Sequence, residues 1–128
     1  EKLGIERQCR GKRGEDIALE YLQDCGLSLR HRNWRCGHLE LDLVMEDNLA
    51  IRIIEVKSIT EDTGIDPLDH MTTLKSSRVA AAARRYATEF CIQKEIKFDV
   101  VAIVMGMDDF QITYLPDAFI PTYQGKYY

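Results

Sequence analysis

Apolar and polar positions alternate along three consecutive segments in the first half of the chain. Residues 27–34 (LSLRHRNW), 38–45 (HLELDLVM) and 51–58 (IRIIEVKS) place apolar side chains at about every second position, the period of a β-strand. A Cys-Gly pair at 36–37 separates the first two segments, and Glu-Asp-Asn at 46–48 separates the next two. Because these connections are short, the pattern predicts an antiparallel meander of three strands.

Two other segments carry the spacing or composition of helices. Residues 13–25 repeat their apolar side chains at helical spacing, and Gly26 follows as a stop signal. Residues 71–91 contain an alanine run, which strongly favours a helix. The intervening residues 58–70 contain glycine, proline and several acids, and therefore predict a loop.

The last third of the chain predicts two more strands. Residues 97–104 (KFDVVAIV) form an almost continuous apolar run, typical of a strand buried on both faces, and residues 111–115 (QITYL) predict a short final strand. A strand, helix, strand sequence requires a crossover, so at least one pair of strands should be parallel. The order α-β-β-β-α-β-β predicts an α/β or α+β fold, with a mixed sheet flanked by helices. We expect one domain over 1–128, with its core at about 10–115 and a loosely held C-terminal tail.

Composition narrows the class of protein. The chain has 128 residues, 45% hydrophobic and 30% charged, and no apolar run approaches the roughly 20 residues that a membrane span needs. Residues 1–15 lack the apolar stretch of a signal peptide, so we expect a cytoplasmic protein with reduced thiols at its four cysteines. The net charge of -4 argues against a wholly basic surface that coats nucleic acid, although a local basic patch is compatible with it.

Charged residues interrupt the third predicted strand on one side. Residues two apart in a strand point to the same face, so Glu55 and Lys57 share the face of Ile51 and Ile53. An acid and a base are therefore neighbours on an otherwise apolar face.

The second predicted strand shows the same feature. Its even-numbered residues Glu40, Asp42 and Val44 point one way, and the odd-numbered ones, including Leu41 and Leu43, point the other way. If the two strands pair, one face of the sheet presents four ionisable side chains together: Glu40, Asp42, Glu55 and Lys57.

Carboxylates among apolar neighbours are costly unless a positive charge compensates them. Mg²⁺ is suited to this role because it binds one or two carboxylates, keeps several waters and accepts substrate phosphate oxygens. Lys57 could then orient or deprotonate a water, or stabilise charge on a phosphodiester. Alternatively, Glu55 and Lys57 form an exposed cross-strand ion pair on a solvated face of the sheet.

Asp42, followed after twelve residues by Glu55-Val56-Lys57, resembles the PD-(D/E)xK nuclease signature. Further segments occur in the order found in the YraN-like family of uncharacterised proteins, which are regarded as predicted endonucleases. The resemblance covers roughly residues 10–104. The matching segments are GKRGEDIALEYLQDCGLSLRHRNWR, LELDLV, IIEVKS, Pro67, Lys75 with Arg78, and FDVVAI.

The resemblance implies a restriction-endonuclease-like fold similar to that of archaeal Holliday-junction resolvases. It implies that Asp42 and Glu55 bind Mg²⁺ or Mn²⁺ together with the backbone carbonyl of Val56. Lys57 would be the catalytic base or the stabiliser of the transition state. Glu15 matches an additional helical acid of the resolvases, which serves a second metal or its waters.

Other matching positions have roles that the resemblance defines less closely. Glu40 matches an acid of the family and is an accessory candidate, while Lys75 and Arg78 are expected to contact DNA phosphates. The chain departs from the family at Leu39, where glycine is usual, and at Ile59, where a basic residue is frequent. Because resolvases are dimers, the resemblance also implies a homodimer.

The leading hypothesis is a Mg²⁺- or Mn²⁺-dependent DNA endonuclease, with branched or junction DNA as the substrate that the resemblance implies. Two alternatives stay open. The chain could be a non-catalytic nucleic-acid-binding module of the same fold, or a protein-interaction domain whose charged cluster is solvated surface.

Overall fold

A computed structural model describes the backbone of residues 2–60 and 73–118 and the side chains of residues 13–59 and 75–118. The helices and strands follow the predicted order α-β-β-β-α-β-β, and the mixed α+β class is confirmed. The loop was predicted to begin at residue 58, but β3 continues through Thr60. The rest of the predicted loop, with Pro67, and the predicted tail at 121–128 lie outside the described residues. The elements are α1 (Lys2–Asp24), β1 (Ser28–Cys36), β2 (Leu39–Glu46), β3 (Ala50–Thr60), α2 (Thr73–Glu89), β4 (Glu95–Met105) and β5 (Phe110–Leu115).

The five strands form one sheet in the order β1-β2-β3-β4-β5. Strands β1, β2 and β3 pair antiparallel, which confirms the predicted meander. Strand β3 pairs with β4 in parallel from Ala50↔Glu95 to Thr60↔Met105, and α2 provides the predicted crossover. Strand β5 pairs antiparallel with β4 and completes the sheet.

Helix α1 begins at Lys2, eleven residues before the predicted start. The added turns are rich in Lys, Arg, Glu and Gln, which favour a helix without an apolar period, so periodicity alone missed them. Its end is as predicted, because Gly26 adopts φ +100 and allows the chain to leave the helix. The Leu27 N–H then donates to the Leu22 carbonyl at 3.1 Å, which closes the last turn.

Each face of the sheet carries a helix and its own apolar cluster. The face under α1 buries Ala18 and Leu22 of the helix against residues that include Leu43 and Ile54. The face under α2 packs a second cluster around Tyr86, which is fully buried. The two clusters make the sheet the middle layer of the molecule, which is how the hydrophobic faces of sheets and helices are ordinarily covered.

The regular alternation of β2 is interrupted at Asp42. Leu41 packs in the α2 cluster, whereas Leu43, two residues later, packs in the α1 cluster. The prediction that the odd-numbered residues of this strand share one face is therefore wrong. The register puts Asn33 of β1 opposite Asp42, and Asn33 has a φ of 53, a left-handed conformation that asparagine tolerates and that alternation rules do not foresee.

A buried acid on β4 connects strands β3, β4 and β5. Asp99 on β4 is fully buried, and both of its carboxylate oxygens accept hydrogen bonds from Arg52 of β3, at 3.1 and 3.2 Å. The Tyr114 hydroxyl of β5 donates to the same carboxylate at 2.7 Å, and the Asp117 N–H donates at 2.8 Å. These hydrogen bonds compensate the burial of the charge, so Asp99 holds three strands together.

Helix α1 lies close to β3 at Gly14. A methyl group in place of its α-hydrogen would lie 2.1 Å from the Ser58 Oγ and 3.5 Å from the Ser58 Cβ. A glycine inside a helix costs about 1 kcal/mol relative to alanine, and here its small size permits the contact with the strand. This close approach sets the position of Glu15, the next residue.

We expect the replacements Gly14→Ala and Ser58→Ala to be strongly coupled. In the Ser58→Ala background, Gly14→Ala should raise the free energy of unfolding by about 1 kcal/mol, because helix propensity improves and the hydroxyl no longer obstructs the methyl group. In the presence of Ser58 this gain should be absent. Urea denaturation of the four proteins measures the coupling, and additive effects would contradict the close contact.

Candidate active site

Strands β2 and β3 separate at the two predicted metal ligands. Their ladder runs from Glu46↔Ile51 to Leu43↔Ile54, and Asp42 and Glu55 are the next positions on either strand. Beyond that point β2 continues paired with β1, and β3 continues paired with β4. The separation opens a cleft of about 410 Å³. Its lining residues are His38, Leu39, Glu40, Asp42, Glu55, Lys75, Arg78 and Val79.

The Asp42 carboxylate lies across the gap between the strands. Its Oδ2 accepts a hydrogen bond from the Val56 N–H at 3.0 Å. Burial and the nearby charge of Glu55 nevertheless raise the pKa of Asp42 to about 7, since the Val56 hydrogen bond offsets them only in part. The charge of Glu15 acts in the same direction. The structure thus brings Glu15, Asp42 and Glu55 close enough for the charges of Glu15 and Glu55 to affect Asp42.

Glu55 is 4% exposed and contacts two lysines. Its Oε1 lies 3.2 Å from the Nζ of Lys75 and 3.9 Å from the Nζ of Lys57. The side chain of Lys57 is itself only 14% exposed. The alternative of an exposed cross-strand ion pair between Glu55 and Lys57 is therefore wrong, because neither member is on a solvated face.

The pKa of Lys57 is lower than that of an ordinary lysine. Its burial, followed by its contact with the Lys75 ammonium group, lowers the pKa of Lys57 to about 8, although Glu55 and Asp42 act in the opposite direction. Burial also acts to lower the pKa of Lys75, but the contacts with Lys57 and Glu55 outweigh it, and the pKa of Lys75 is raised. Of the two ammonium groups, Lys57 is thus the one that gives up its proton more readily.

Both predicted DNA contacts, Lys75 and Arg78, line the cleft. Arg78 is exposed and lies one turn after Lys75 on α2, in a position to meet a ligand entering from solvent. Lys75 instead directs its ammonium group at the buried Glu55 carboxylate. Its pairing with Glu55 was not foreseen, because only the tertiary fold brings the first turn of α2 to β3.

Two residues of β1 hold Glu15 beside the cleft. Arg32 donates from Nε to the Glu15 Oε1 at 3.3 Å, and the Asn33 amide donates to the same oxygen at 3.2 Å. Neither residue was singled out from the sequence. The signal available in principle was the glycine before Glu15, since a helical glycine indicates close packing.

Glu40, the accessory candidate, lies at the rim of the cleft. Its carboxylate is exposed and is 3.6 Å from the Arg35 guanidinium group, so it is partly compensated by an exposed cation. An ion pair of this kind is weak in water. Glu40 therefore contributes negative charge to the cleft without the burial that marks Asp42 and Glu55.

The backbone of Val56 also faces the gap. Its N–H donates to Asp42, on the β2 side of β3. In an antiparallel ladder the N–H and C=O of one residue point to the same side of the strand, so the Val56 carbonyl points toward the gap as well. This orientation supports the predicted use of that carbonyl as a ligand.

The oxygen atoms of Asp42, Glu55 and Val56 could supply some, but not all, of the ligands of a metal ion. Within residues 2–60 and 73–118, no group of three or more His, Cys, Asp or Glu side chains converges as it would in a metal site enclosed by protein. Two mostly buried carboxylates, plus a carbonyl, instead suit Mg²⁺ or Mn²⁺, which complete their coordination with water and substrate oxygens. The residues present fit such a cation.

In the described part of the chain, no helix combines the length and apolarity that crossing a membrane requires. Among the cysteines whose side chains are described, Cys25, Cys36 and Cys91 are free thiols. The remaining one, Cys9, has its side chain outside the described residues.

Comparison with known proteins identifies a family. The model of Uncharacterised protein family UPF0102 matches residues 14–103. A UPF0102 protein of Bacteroides fragilis is 37% identical, over 91% of this chain and 96% of the relative. One from Phocaeicola vulgatus is 38% identical over 87% and 92%, and one from Janthinobacterium sp. is 37% identical over 88% and 88%. The predicted family is confirmed, whereas the nuclease superfamily stays a prediction, since these names assign no activity.

The raised pKa of Asp42 gives an expected dependence of stability on pH. Between pH 3.8 and about 7, the folded protein retains a proton on Asp42 that the unfolded chain has released, so raising the pH through this window lowers the free energy of unfolding. The Asp42→Asn variant has no ionisable side chain at this position, so its free energy of unfolding should not decrease for this reason as the pH rises. At pH 8 in EDTA we expect the variant to be more stable by on the order of 2 kcal/mol, since each pKa unit corresponds to about 1.4 kcal/mol.

Urea denaturation of the wild-type protein and Asp42→Asn across this pH range measures the difference. Asp24→Asn is the matched control, because Asp24 is an exposed acid at the end of α1. Its effect should be small at every pH. A difference between wild type and Asp42→Asn that does not grow with pH would contradict the raised pKa.

Proposed function

The chain belongs to Uncharacterised protein family UPF0102, and we propose that it is a divalent-cation-dependent DNA endonuclease that hydrolyses phosphodiester bonds in the cleft between β2 and β3. One observation carries the proposal. Asp42 and Glu55 lie together where the two strands separate, mostly buried, and burial together with the charge of Glu55 keeps the pKa of Asp42 near 7. Burying two carboxylates beside each other raises the free energy of the folded protein, and a bound divalent cation would lower it by neutralising their charge.

The ligands for the cation would be Asp42, Glu55 and the carbonyl of Val56. A bound divalent cation supplies two effects for this chemistry: it neutralises charge on the phosphodiester and lowers the pKa of a water. The cleft is open to solvent between the strands and α2, so it can admit a segment of a nucleic-acid backbone. The exposed Arg78 at the cleft supports a phosphate contact beside the reacting one.

Lys57 is the residue best suited to the proton transfer. Its pKa of about 8 is close to neutral pH, so both protonation states are accessible to it. As a neutral amine it can take the proton from the attacking water while the water oxygen forms the new bond to phosphorus. One ester bond from phosphorus to oxygen then breaks, and the leaving oxygen takes a proton. As an ammonium group, Lys57 stabilises the negative charge that develops on phosphorus.

Glu15 acts beside this centre. It lies close enough for its charge to affect Asp42, and Arg32 and Asn33 fix its carboxylate. This placement supports a role in orienting waters around the cation or in serving a second one. Glu40 at the rim is a weaker candidate, because its charge is exposed and paired with Arg35.

The surface of α2 supports a path for the DNA backbone. Arg78 and Arg85 are seven residues apart, which is close to two helical turns, so they lie on the same side of the helix. Both are exposed, and Arg84 and Arg85 line a second shallow depression further along the helix. Because the chain has a net charge of -4, binding should depend on this local row and weaken with added salt.

The test is a cleavage assay with linear duplex, single-stranded and four-way-junction DNA in Mg²⁺, Mn²⁺ or EDTA. We expect cleavage that requires the metal and falls at least about 100-fold in Asp42→Asn and in Lys57→Ala, which is the size of effect expected when a group in direct charge or proton catalysis is lost. Branched DNA is the substrate that the resemblance to resolvases implies. A homodimer, implied in the same way, is checked by the mass of the protein in solution.

Two variants control for indirect effects. Asp24→Asn changes an exposed acid on α1, and Lys94→Ala changes a lysine near the turn between β2 and β3, at the opposite end of the sheet from the cleft. Both should cleave like the wild type. DNA binding without cleavage under all conditions would indicate the non-catalytic binding module, and absence of both DNA and metal binding would indicate the protein-interaction domain.

A further inference from the structure

Lys75 makes the shortest ion pair of the Glu55 carboxylate. Its Nζ is 3.2 Å from the Glu55 Oε1, against 3.9 Å for the Nζ of Lys57. Glu55 is almost completely buried, so this contact is not weakened by solvent in the way that exposed ion pairs are. Lys75 therefore already supplies positive charge at the position where the proposed function requires a cation.

Lys75 and a divalent cation would compete for the same oxygen atoms. A carboxylate oxygen that binds a dehydrated cation cannot keep an ammonium group at the same place, because the two positive charges repel each other at short range. Lys57 and Lys75 already crowd this carboxylate with two cationic side chains. A third positive centre requires one of them to move, and Lys75 has the more exposed side chain, at 39% against 14%.

We infer that Lys75 is the built-in counter-ion of Glu55, and that a divalent cation binds only by displacing it. This inference rests on the proposed function and adds a regulation to the same site. Lys75 is a positioning residue, since it acts through Glu55 and holds the carboxylate in place when no divalent cation is bound. The sequence predicted a phosphate contact for Lys75. In the structure, Lys75 instead forms an ion pair with Glu55.

The experiment measures Mn²⁺ binding by isothermal titration calorimetry, without DNA and without any assay of activity. Lys75→Met keeps the length of the side chain and removes its charge. We expect it to bind Mn²⁺ at least about fivefold more tightly than the wild type, the lower end of the usual coupling between two ligands. Lys75→Gln should behave in the same way, and serves as the second variant if Lys75→Met does not fold.

Two control variants distinguish the loss of a positive charge beside Glu55 from the loss of a positive charge elsewhere in the cleft. Lys75→Arg retains a cation beside Glu55 and should bind Mn²⁺ with nearly wild-type affinity. Arg78→Met removes a cation from the same cleft and the same helix, but from a side chain that is exposed rather than directed at Glu55, and it should also leave the affinity nearly unchanged. A purely general effect of net charge would raise the affinity of Arg78→Met as much as that of Lys75→Met.

The outcomes distinguish this inference from the proposed function. Wild-type binding of Mn²⁺ with equal or weaker binding by Lys75→Met and Lys75→Gln overturns the role of Lys75 and leaves the metal site intact. Binding by those two variants but not by the wild type supports the inference in its strongest form. If no variant binds Mn²⁺, the proposed metal site fails and the role of Lys75 fails with it.

Discussion

The separation of β2 and β3 at Asp42 and Glu55 determines what this protein can do. Up to Leu43↔Ile54 the two strands satisfy each other's backbone groups, and beyond that pair the strands diverge, so that Asp42 itself accepts a hydrogen bond from the Val56 N–H. Two carboxylates are thereby held near each other where water has limited access. Burial raises the pKa of Asp42, and repulsion from the nearby Glu55 carboxylate raises it further. The cleft and its negative charge both follow from that arrangement.

The comparison of Asp99 with Asp42 shows that low exposure of an acid does not by itself indicate a functional site. Asp99 is completely buried, but Arg52, Tyr114 and the Asp117 backbone donate to its carboxylate, so the protein compensates the charge by itself. Asp42 receives a single hydrogen bond from the described residues, from the Val56 N–H. A carboxylate whose charge is compensated only in part lowers stability and persists where it serves a function. The contrast favours a structural role for Asp99 and a chemical one for Asp42.

Much of the fold was predictable because its elements follow simple periods. The meander, the parallel crossover and the end of α1 at Gly26 agree with the alternation, length and glycine signals in the sequence. The prediction of side-chain faces in β2 failed at Asp42, because the left-handed Asn33 on the neighbouring strand disturbs an alternation that assumes regular backbone in both strands. The acids and Lys57 were identifiable from spacing and resemblance. The contact of Lys75 with Glu55 was not, since it depends on where α2 packs.

In the proposed function, the position of Lys75 would link the binding of the divalent cation to the binding of DNA. With its ammonium group on Glu55, the lysine stabilises the cleft before the cation arrives. A divalent cation on Glu55 leaves that ammonium group without its anion, in a cleft that also contains Arg78 and is open to solvent. Phosphate oxygens are the anions that a nucleic acid would bring to it. Metal binding would then increase affinity for DNA, and by thermodynamic reciprocity DNA would increase affinity for the metal. The predicted phosphate contact and the observed ion pair are, on this view, two states of one side chain.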